Sequence, residues 1–332
     1  MRGDLKQSRP CLARPTVMLT EIVAILAGFA LLIWAADRFV SGAAAIAINL
    51  GVSTLVIGLT IVGLGTSAPE ILVSAIAAID GNPGLSIGNA IGSNITNIGL
   101  ILGITALVMP LSVASRTLMR EYPLLLGISL LTMMLLLDQH LGVMDGIILV
   151  ALLVAVIYLM YRTARQGADP ELAKEIIAEM PETMPTGKAV LWLLAGLVGM
   201  LIASRLLVWG AVEVARLIGV SDLIIGLTVV AIGTSLPELA TTITSALKNE
   251  PDLAIGNVLG SNLFNLLAVL PIAGLVAPGD ISTEILLRDM PVMLALTLAI
   301  AGVAWSRKGT HEIARSDGIL LLTGFLAYQG WI

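Results

Sequence analysis

Two glutamates stand out in a chain that carries few charges. Glu70 and Glu238 each close a run of small and apolar residues, Gly65-Thr66-Ser67-Ala68-Pro69-Glu70 and Gly233-Thr234-Ser235-Leu236-Pro237-Glu238. A charged side chain at the centre of a membrane helix costs about 2.5–3.5 kcal/mol on insertion scales, so such residues imply a use. The proline before each glutamate has no N–H to give, and its ring displaces the carbonyl four residues back, here Gly65 and Gly233. Both runs are therefore expected to kink and to bare carbonyl oxygens beside Thr66 and Thr234. Helical spacing places Thr66 and Ser67 on the face of Glu70, and Thr234 and Ser235 on that of Glu238. A second pair of polar faces follows the same rule, since Ser93 and Asn97 are four apart, as are Ser261 and Asn265. Every donor in this set is an oxygen, which selects hard cations. Two bidentate carboxylates and two threonine carbonyls supply about six ligands, the lower end of what Ca²⁺ accepts, whereas Mg²⁺ demands stricter geometry and dehydrates reluctantly.

The elements that position these residues follow from composition. Of 332 residues 57% are apolar and 12% charged, with a mean hydropathy of +0.98, so lipid is the solvent for most of the chain. The net charge of −5 includes no basic stripe that would suit nucleic acid. Cys11 is the sole cysteine, which rules out an intramolecular disulfide and a thiolate metal cluster. A membrane helix needs about 20 mostly apolar residues. Segments of that size fall near 20–46, 52–79, 84–108, 119–137, 142–161, 189–215, 221–247, 253–276, 285–305 and 315–331. The expected fold is an all-α integral membrane protein of ten transmembrane helices. Residues 1–17 form a polar leader without a clear cleavage site, and Met18 is an alternative start. Residues 162–188 form the one long polar connector.

A shift of 168 residues lays the first glutamate motif on the second and Gly88-Asn89-x-x-Gly92-Ser93-Asn94-x-x-Asn97 on Gly256-Asn257-x-x-Gly260-Ser261-Asn262-x-x-Asn265, without a gap. The chain thus reads as a duplication, with five-helix repeats over 18–161 and 189–332. Five being odd, the second copy enters the membrane from the opposite side, which gives inverted repeats of the kind secondary transporters use. Positive charge is concentrated on one set of loops, at Arg116, Arg120, Arg162, Arg165, Lys174, Lys188, Lys248, Arg307, Lys308 and Arg315. That bias favours outside termini and a cytoplasmic connector in a multi-pass cell membrane protein, although the four leader charges vote the other way.

Other polar residues have plainer readings. Gly88-xxx-Gly92 and Gly256-xxx-Gly260 are close-packing motifs, expected to bring the third span against the second. Asn89, Asn94, Asn257 and Asn262 read as structural hydrogen-bonders. Asp37, Arg38, Arg205 and Glu213 are expected to pair or to reach an interface, and Arg120-Glu121 and Arg288-Asp289 to anchor span ends there. His140 and His311 fall near loops and are expected to be solvated. The connector lacks an EF-hand pattern. An intramembrane hydrolase would need a catalytic pair in the spans that is not evident, and a scaffold would have no need of two matched broken helices. The protein therefore reads as a non-enzyme without a cofactor.

The motifs GLGTSAPE with GNAIGSNITN, and AIGTSLPE with GNVLGSNLFN, resemble those of the cation/Ca²⁺ exchanger superfamily, in particular its short prokaryotic Na⁺/Ca²⁺ exchanger branch, and the ten-span plan extends the likeness over nearly the whole chain. The resemblance implies a Ca²⁺ site of Glu70 and Glu238 with the backbone oxygens of Thr66 and Thr234. It also implies flanking Na⁺ positions at Ser67, Ser93, Ser235 and Ser261, with the Ala231 carbonyl and its repeat mate Gly63, while Asn97 and Asn265 line the pocket. Some members, K⁺-dependent ones included, carry Asp where this chain has Asn265, so K⁺ co-transport is not expected. The expected function is Na⁺/Ca²⁺ antiport by alternating access, with H⁺/Ca²⁺ antiport as the alternative. The partners are the bilayer and the two ions, and no protein partner is indicated.

Overall fold

The computed structural model describes residues 15–50, 67–113, 121–165, 184–247, 251–305 and 312–332. These form an almost wholly helical molecule. In chain order the helices are α1 (Pro15–Asn49), α2 (Ala68–Ile79), α3 (Pro83–Val108), α4 (Glu121–Asp138), α5 (Val143–Arg165), α6 (Thr186–Ile218), α7 (Asp222–Thr234) and α8 (Leu236–Leu247). There follow α9 (Pro251–Phe264, continued through Asn265–Val269 and Leu270–Val276), α10 (Met290–Trp305, preceded by Ile285–Asp289) and α11 (Arg315–Trp331). Among the described residues seven helices are long and apolar enough to cross a membrane, and an eighth is added if the bent pair α7 and α8 counts as one. α1 begins at Pro15, inside the stretch expected to be leader, and α5, which ends at Arg165, and α6, which starts at Thr186, both reach into the stretch expected to be connector.

Burial orders the helices. About three-quarters of the α3 and α9 windows is buried, 78% and 72%, against 17% for α5, so α3 and α9 form the centre and α5 the rim. Both central helices contain a π-helical turn, Asn97–Leu102 in α3 and Asn265–Val269 in α9. Each opens on the asparagine that ends the polar motif, and such turns are frequent at functional sites.

Glycines set the closest contacts. α1 and α6 run antiparallel along a small-residue seam, with Gly28 against Ala203 and Leu207, Gly42 against Ala189 and Leu193, and Gly196 against Ala35 and Phe39. Backbones that approach this closely gain packing without the hydrophobic drive that lipid removes. A second seam joins α3 to α7. A Cβ on Gly88 would lie 2.5 Å from the Leu223 carbonyl oxygen, and one on Gly226 would lie 2.6 Å from that of Leu85. Gly92 continues the seam against Leu227 and Ala231. The Gly88-xxx-Gly92 motif therefore packs α3 on a helix of the other half, where the sequence pattern suggested the second span. Near the bend, the Phe29 ring of α1 covers the space a side chain on Gly233 would fill.

Two short two-stranded sheets join the halves. β1 (Leu111–Ser112), after α3, pairs antiparallel with β4 (Glu312–Ile313), before α11; β2 (His140–Leu141), before α5, pairs with β3 (Gly279–Asp280), after α9. His140 is exposed as expected but meets Asp280 at 3.1 Å across the second strand pair. His311 lies outside the described residues. The surface charges pair locally, Arg38 with Asp37 at 2.7 Å, Arg205 with Asp80 at 3.1 Å and Arg216 with Glu213 at 2.7 Å. Arg38 also lies 4.3 Å from the Trp192 ring centre.

Asp289 departs from the expected interface anchor. It is fully buried, bound by Arg288 Nε at 2.7 Å and Nη2 at 3.2 Å, and accepts the Tyr328 hydroxyl at 2.8 Å. An uncompensated charge there would be costly, so the pair and its tyrosine close on themselves and tie the start of α10 to α11.

Candidate functional site

The two glutamates occupy the first turns of α2 and α8, and each is 1% exposed. The chain bends by 41° between α7 and α8, with Ser235 at the break (φ −85°, ψ 7°). Ser67 has the same geometry at the start of α2 (φ −86°, ψ 7°). Proline is the local cause: Pro237 cannot bond the Gly233 carbonyl, nor Pro69 that of Gly65. The break falls at the serine, so Glu238 begins a new helix rather than continuing the face of Thr234.

Several elements converge on these carboxylates. α2 packs against the π-helical turn of α9, and α8 against that of α3, so each glutamate helix meets the asparagine turn of the other half. Ser235 Oγ, from the other half, donates to Glu70 Oε1 at 3.4 Å. Ser67, Ser93, Thr234, Ser235, Ser261, Asn97 and Asn265 are all buried around the two glutamates, as is Ala231. Asn97 Nδ2 donates to Asn262 Oδ1 at 2.9 Å, which turns the Asn97 carbonyl oxygen free.

Six buried oxygens of the expected set have no hydrogen-bond partner among the described residues: Glu70 Oε2, Glu238 Oε2, Ser67 Oγ, Ser93 Oγ, Asn97 Oδ1 and Asn265 Oδ1. Buried polar atoms are ordinarily satisfied, and each exception calls for a cause. Removing acceptors from water without a donor costs roughly 1–3 kcal/mol each and more for charged ones, a cost that a cation among them would offset. Among the described residues no three His, Cys, Asp or Glu side chains converge. The donor set is thus two carboxylates supplemented by neutral oxygens, which suits a hard ion that must also leave.

Two expectations stand differently. Thr66 and Gly63 lie outside the described residues. The Ala231 carbonyl is already engaged, since it accepts from Ser235 N at 3.2 Å and is 3.4 Å from Thr234 Oγ1, and is therefore less free than the other oxygens.

The asparagines read as structural hydrogen-bonders reach further into the site than their motif suggested. Asn89 Nδ2 donates to the Glu70 carbonyl at 3.2 Å and to Ser74 Oγ at 3.0 Å; Asn257 Nδ2 donates to the Glu238 carbonyl at 3.3 Å and to Thr242 Oγ1 at 2.8 Å. A sequence signal for this existed, because Ser74 and Thr242 are polar at the same 168-residue shift.

A helical membrane protein with paired carboxylates and neutral oxygens buried between its halves belongs, by fold and donor chemistry, to the class that moves hard cations across a bilayer. The comparisons with known proteins give the class a family. The sodium/calcium exchanger protein family model matches residues 20–162 and 188–332. CaxA of Alkalimonas amylolytica, named as a candidate antiporter, is 48% identical over 94% of this chain and 98% of its own. Sodium/calcium exchanger MaX1 of Methanosarcina acetivorans is 30% identical over 94% of this chain and 98% of its own. A solved structure of the sodium-calcium exchanger NCX_Mj superposes with a TM-score of 0.61 at 30% identity, covering 93% of this chain and 98% of that one. The chain belongs to the sodium/calcium exchanger family, a family of cation/Ca²⁺ exchangers rather than enzymes.

Proposed function

We propose that the protein exchanges Na⁺ for Ca²⁺ across the cell membrane by alternating access to one site around Glu70 and Glu238. The observation that carries this reading is the group of six unpartnered buried oxygens, all from the donor set the sequence predicts. Glu70 and Glu238 supply the charge, with the Thr66 and Thr234 backbone oxygens completing the Ca²⁺ shell. Ser67, Ser93, Ser235 and Ser261 serve flanking Na⁺ positions, with Asn97 and Asn265 lining the pocket and Ala231 a weaker contributor. Ca²⁺ and Na⁺ compete for the same carboxylates, so Na⁺ entry drives Ca²⁺ out.

Ten spans in two inverted five-helix repeats, joined by a cytoplasmic connector with both termini outside, is the architecture that fits this mechanism. It is supported by features that recur at the 168-residue shift: the serine break, the π-helical turn and the asparagine bond to the glutamate carbonyl. Sodium and calcium are also the ions in the names of MaX1 and NCX_Mj.

The test is ion replacement in proteoliposomes. Vesicles loaded with Na⁺ and diluted into Na⁺-free medium at fixed pH should take up micromolar ⁴⁵Ca²⁺, and replacing K⁺ by choline with the membrane potential clamped should leave the rate unchanged. Uptake that ignores the Na⁺ gradient and follows an imposed pH gradient would establish H⁺/Ca²⁺ antiport instead. Uptake that stops without K⁺ would show that neutral Asn97 and Asn265 do not exclude K⁺ coupling.

A further inference from the structure

Asn262 lies outside the donor set assigned to the ion, yet it decides how one member of that set is turned. Its buried side chain reaches from α9 across to α3, in the other half, with both ends of its amide. Nδ2 donates to the backbone carbonyl of Asn94 at 3.4 Å, and Oδ1 accepts from Asn97 Nδ2 at 2.9 Å. A carboxamide can turn over, exchanging its oxygen for its NH₂ group, and its hydrogen-bond partners decide which end faces which way. A backbone carbonyl can only accept. The Asn94 carbonyl therefore takes the NH₂ end of Asn262, the Asn262 oxygen takes the NH₂ end of Asn97, and Asn97 Oδ1 is left as one of the six buried oxygens without a partner. Turned over, Asn97 would offer the site an N–H donor, which a cation cannot use. The matching asparagine of the first half does no such thing. Asn94 gives its Nδ2 to Met293 Sδ at 3.5 Å, and neither its Oδ1 nor that of Asn265 has a hydrogen-bond partner among the described residues.

We infer that Asn262 is a positioning residue of the ion site, which carries the direction set by the Asn94 carbonyl across the boundary between the halves to the Asn97 amide, so that an oxygen and not an N–H group meets the cation. The inference rests on the two-glutamate reading, in which Asn97 lines the pocket. The bond to Asn262 is the one hydrogen bond of the Asn97 side chain among the described residues, so without it nothing distinguishes the two ends of that amide except the pocket itself. Glu70 Oε2 and Glu238 Oε2 lack donors, and in a pocket of unpartnered carboxylate oxygens the N–H end is the favoured one, because charge-assisted bonds are about twice as strong as neutral ones. An arriving ion must then turn the amide back. The fixed atom lies on α3 and the relay on α9, so the direction of one ligand depends on both halves.

The experiment is Ca²⁺/Ca²⁺ exchange in proteoliposomes, read as half-saturating Ca²⁺ and maximal rate, with Ca²⁺-induced thermal stabilisation in detergent as a second readout. Asn262→Leu, close in size and without polar atoms, should raise half-saturating Ca²⁺ about tenfold, the scale of one hydrogen bond. Asn94→Leu, which keeps the backbone carbonyl, should leave it within about twofold of wild type. The readout that a packing role would not move is the dependence on position 97. Asn97→Asp ends in two like oxygens and has no wrong way round, so adding Asn262→Leu to it should shift half-saturation by no more than about twofold. Should Asn97→Asp not exchange Ca²⁺, Asn97→Leu, which has no amide to turn, takes its place with the same expectation. Should Asn262→Leu fail to reach the membrane, Asn262→Ala, which leaves room instead of bulk, is read in the same way. An equal shift in the wild-type and position-97 backgrounds would reduce Asn262 to packing and overturn the inference, as would a lower maximal rate at unchanged half-saturation. A wild type without saturable Ca²⁺ exchange overturns the two-glutamate reading and this inference with it; a normal wild type with unshifted Asn262 variants overturns the inference alone.

Discussion

Glu70→Gln and Glu238→Gln should each abolish Ca²⁺ transport, while Asp169→Asn in the polar connector should be nearly silent. Glutamine keeps the size and one carbonyl oxygen of glutamate but removes a full charge and a bidentate ligand, so the change tests electrostatics more than shape. With both carboxylates ionised a bound Ca²⁺ is neutralised; with one it leaves net positive charge at a site where both side chains are buried. Even at an effective dielectric constant of about 20, a unit pair at 4 Å interacts by about 4 kcal/mol. Solvation changes offset part of this, yet a loss of about 3 kcal/mol weakens binding more than a hundredfold. Asp169 falls in a polar stretch of sequence, where salt screens long-range effects. The measurement is ⁴⁵Ca²⁺ flux at micromolar Ca²⁺ with membrane levels checked for each variant. Wild-type flux from either glutamine variant would refute the two-glutamate site.

Gly226→Val should cost the fold itself. The first atom it adds would lie 2.6 Å from the Leu85 carbonyl oxygen and 3.0 Å from the Gly88 Cα, and both neighbours are backbone of a central helix. Overpacking with side chains that can shift costs about 1–3 kcal/mol, occasionally more; here α3 and α7 must separate, which also disturbs Asn89 and Thr234. The expected result is loss of most monodisperse protein on size-exclusion chromatography in detergent, and of transport with it. Gly187→Val, at an exposed position with nothing within 4 Å, should elute and melt close to wild type. If Gly226→Val did the same, the α3–α7 seam would not be a contact on which the fold depends.

The glutamates and their serines and asparagines were legible because charge and amide groups in an apolar chain are expensive, and because a duplication shows every costly feature twice. What stayed hidden depends on partners distant in sequence. Gly88-xxx-Gly92 announces a face that admits a close neighbour but not which neighbour, and α7 is that neighbour. Arg288 beside Asp289 at a span start looks like an interface anchor until Tyr328, 39 residues on, closes over it. The π-helical turns have no residue signature of their own, since they express how α3 and α9 accommodate the helices around them. Asn89 read as one of four structural amides, and its bond to the Thr234 hydroxyl of the other half could not be read from the motif.

The strand pairs that join the halves bear on how the molecule is made. β1 is synthesised roughly two hundred residues before β4, its partner, and β2 precedes β3 by more than a hundred. Helices of such a protein can enter the bilayer singly and associate later, so the first half is threaded into the membrane with both its strands still waiting. It is completed only when the ribosome has released the segment that precedes the last helix. Neither half can pair its own strands, and a nascent chain halted at the connector would hold two open strand edges that nothing yet translated can cap.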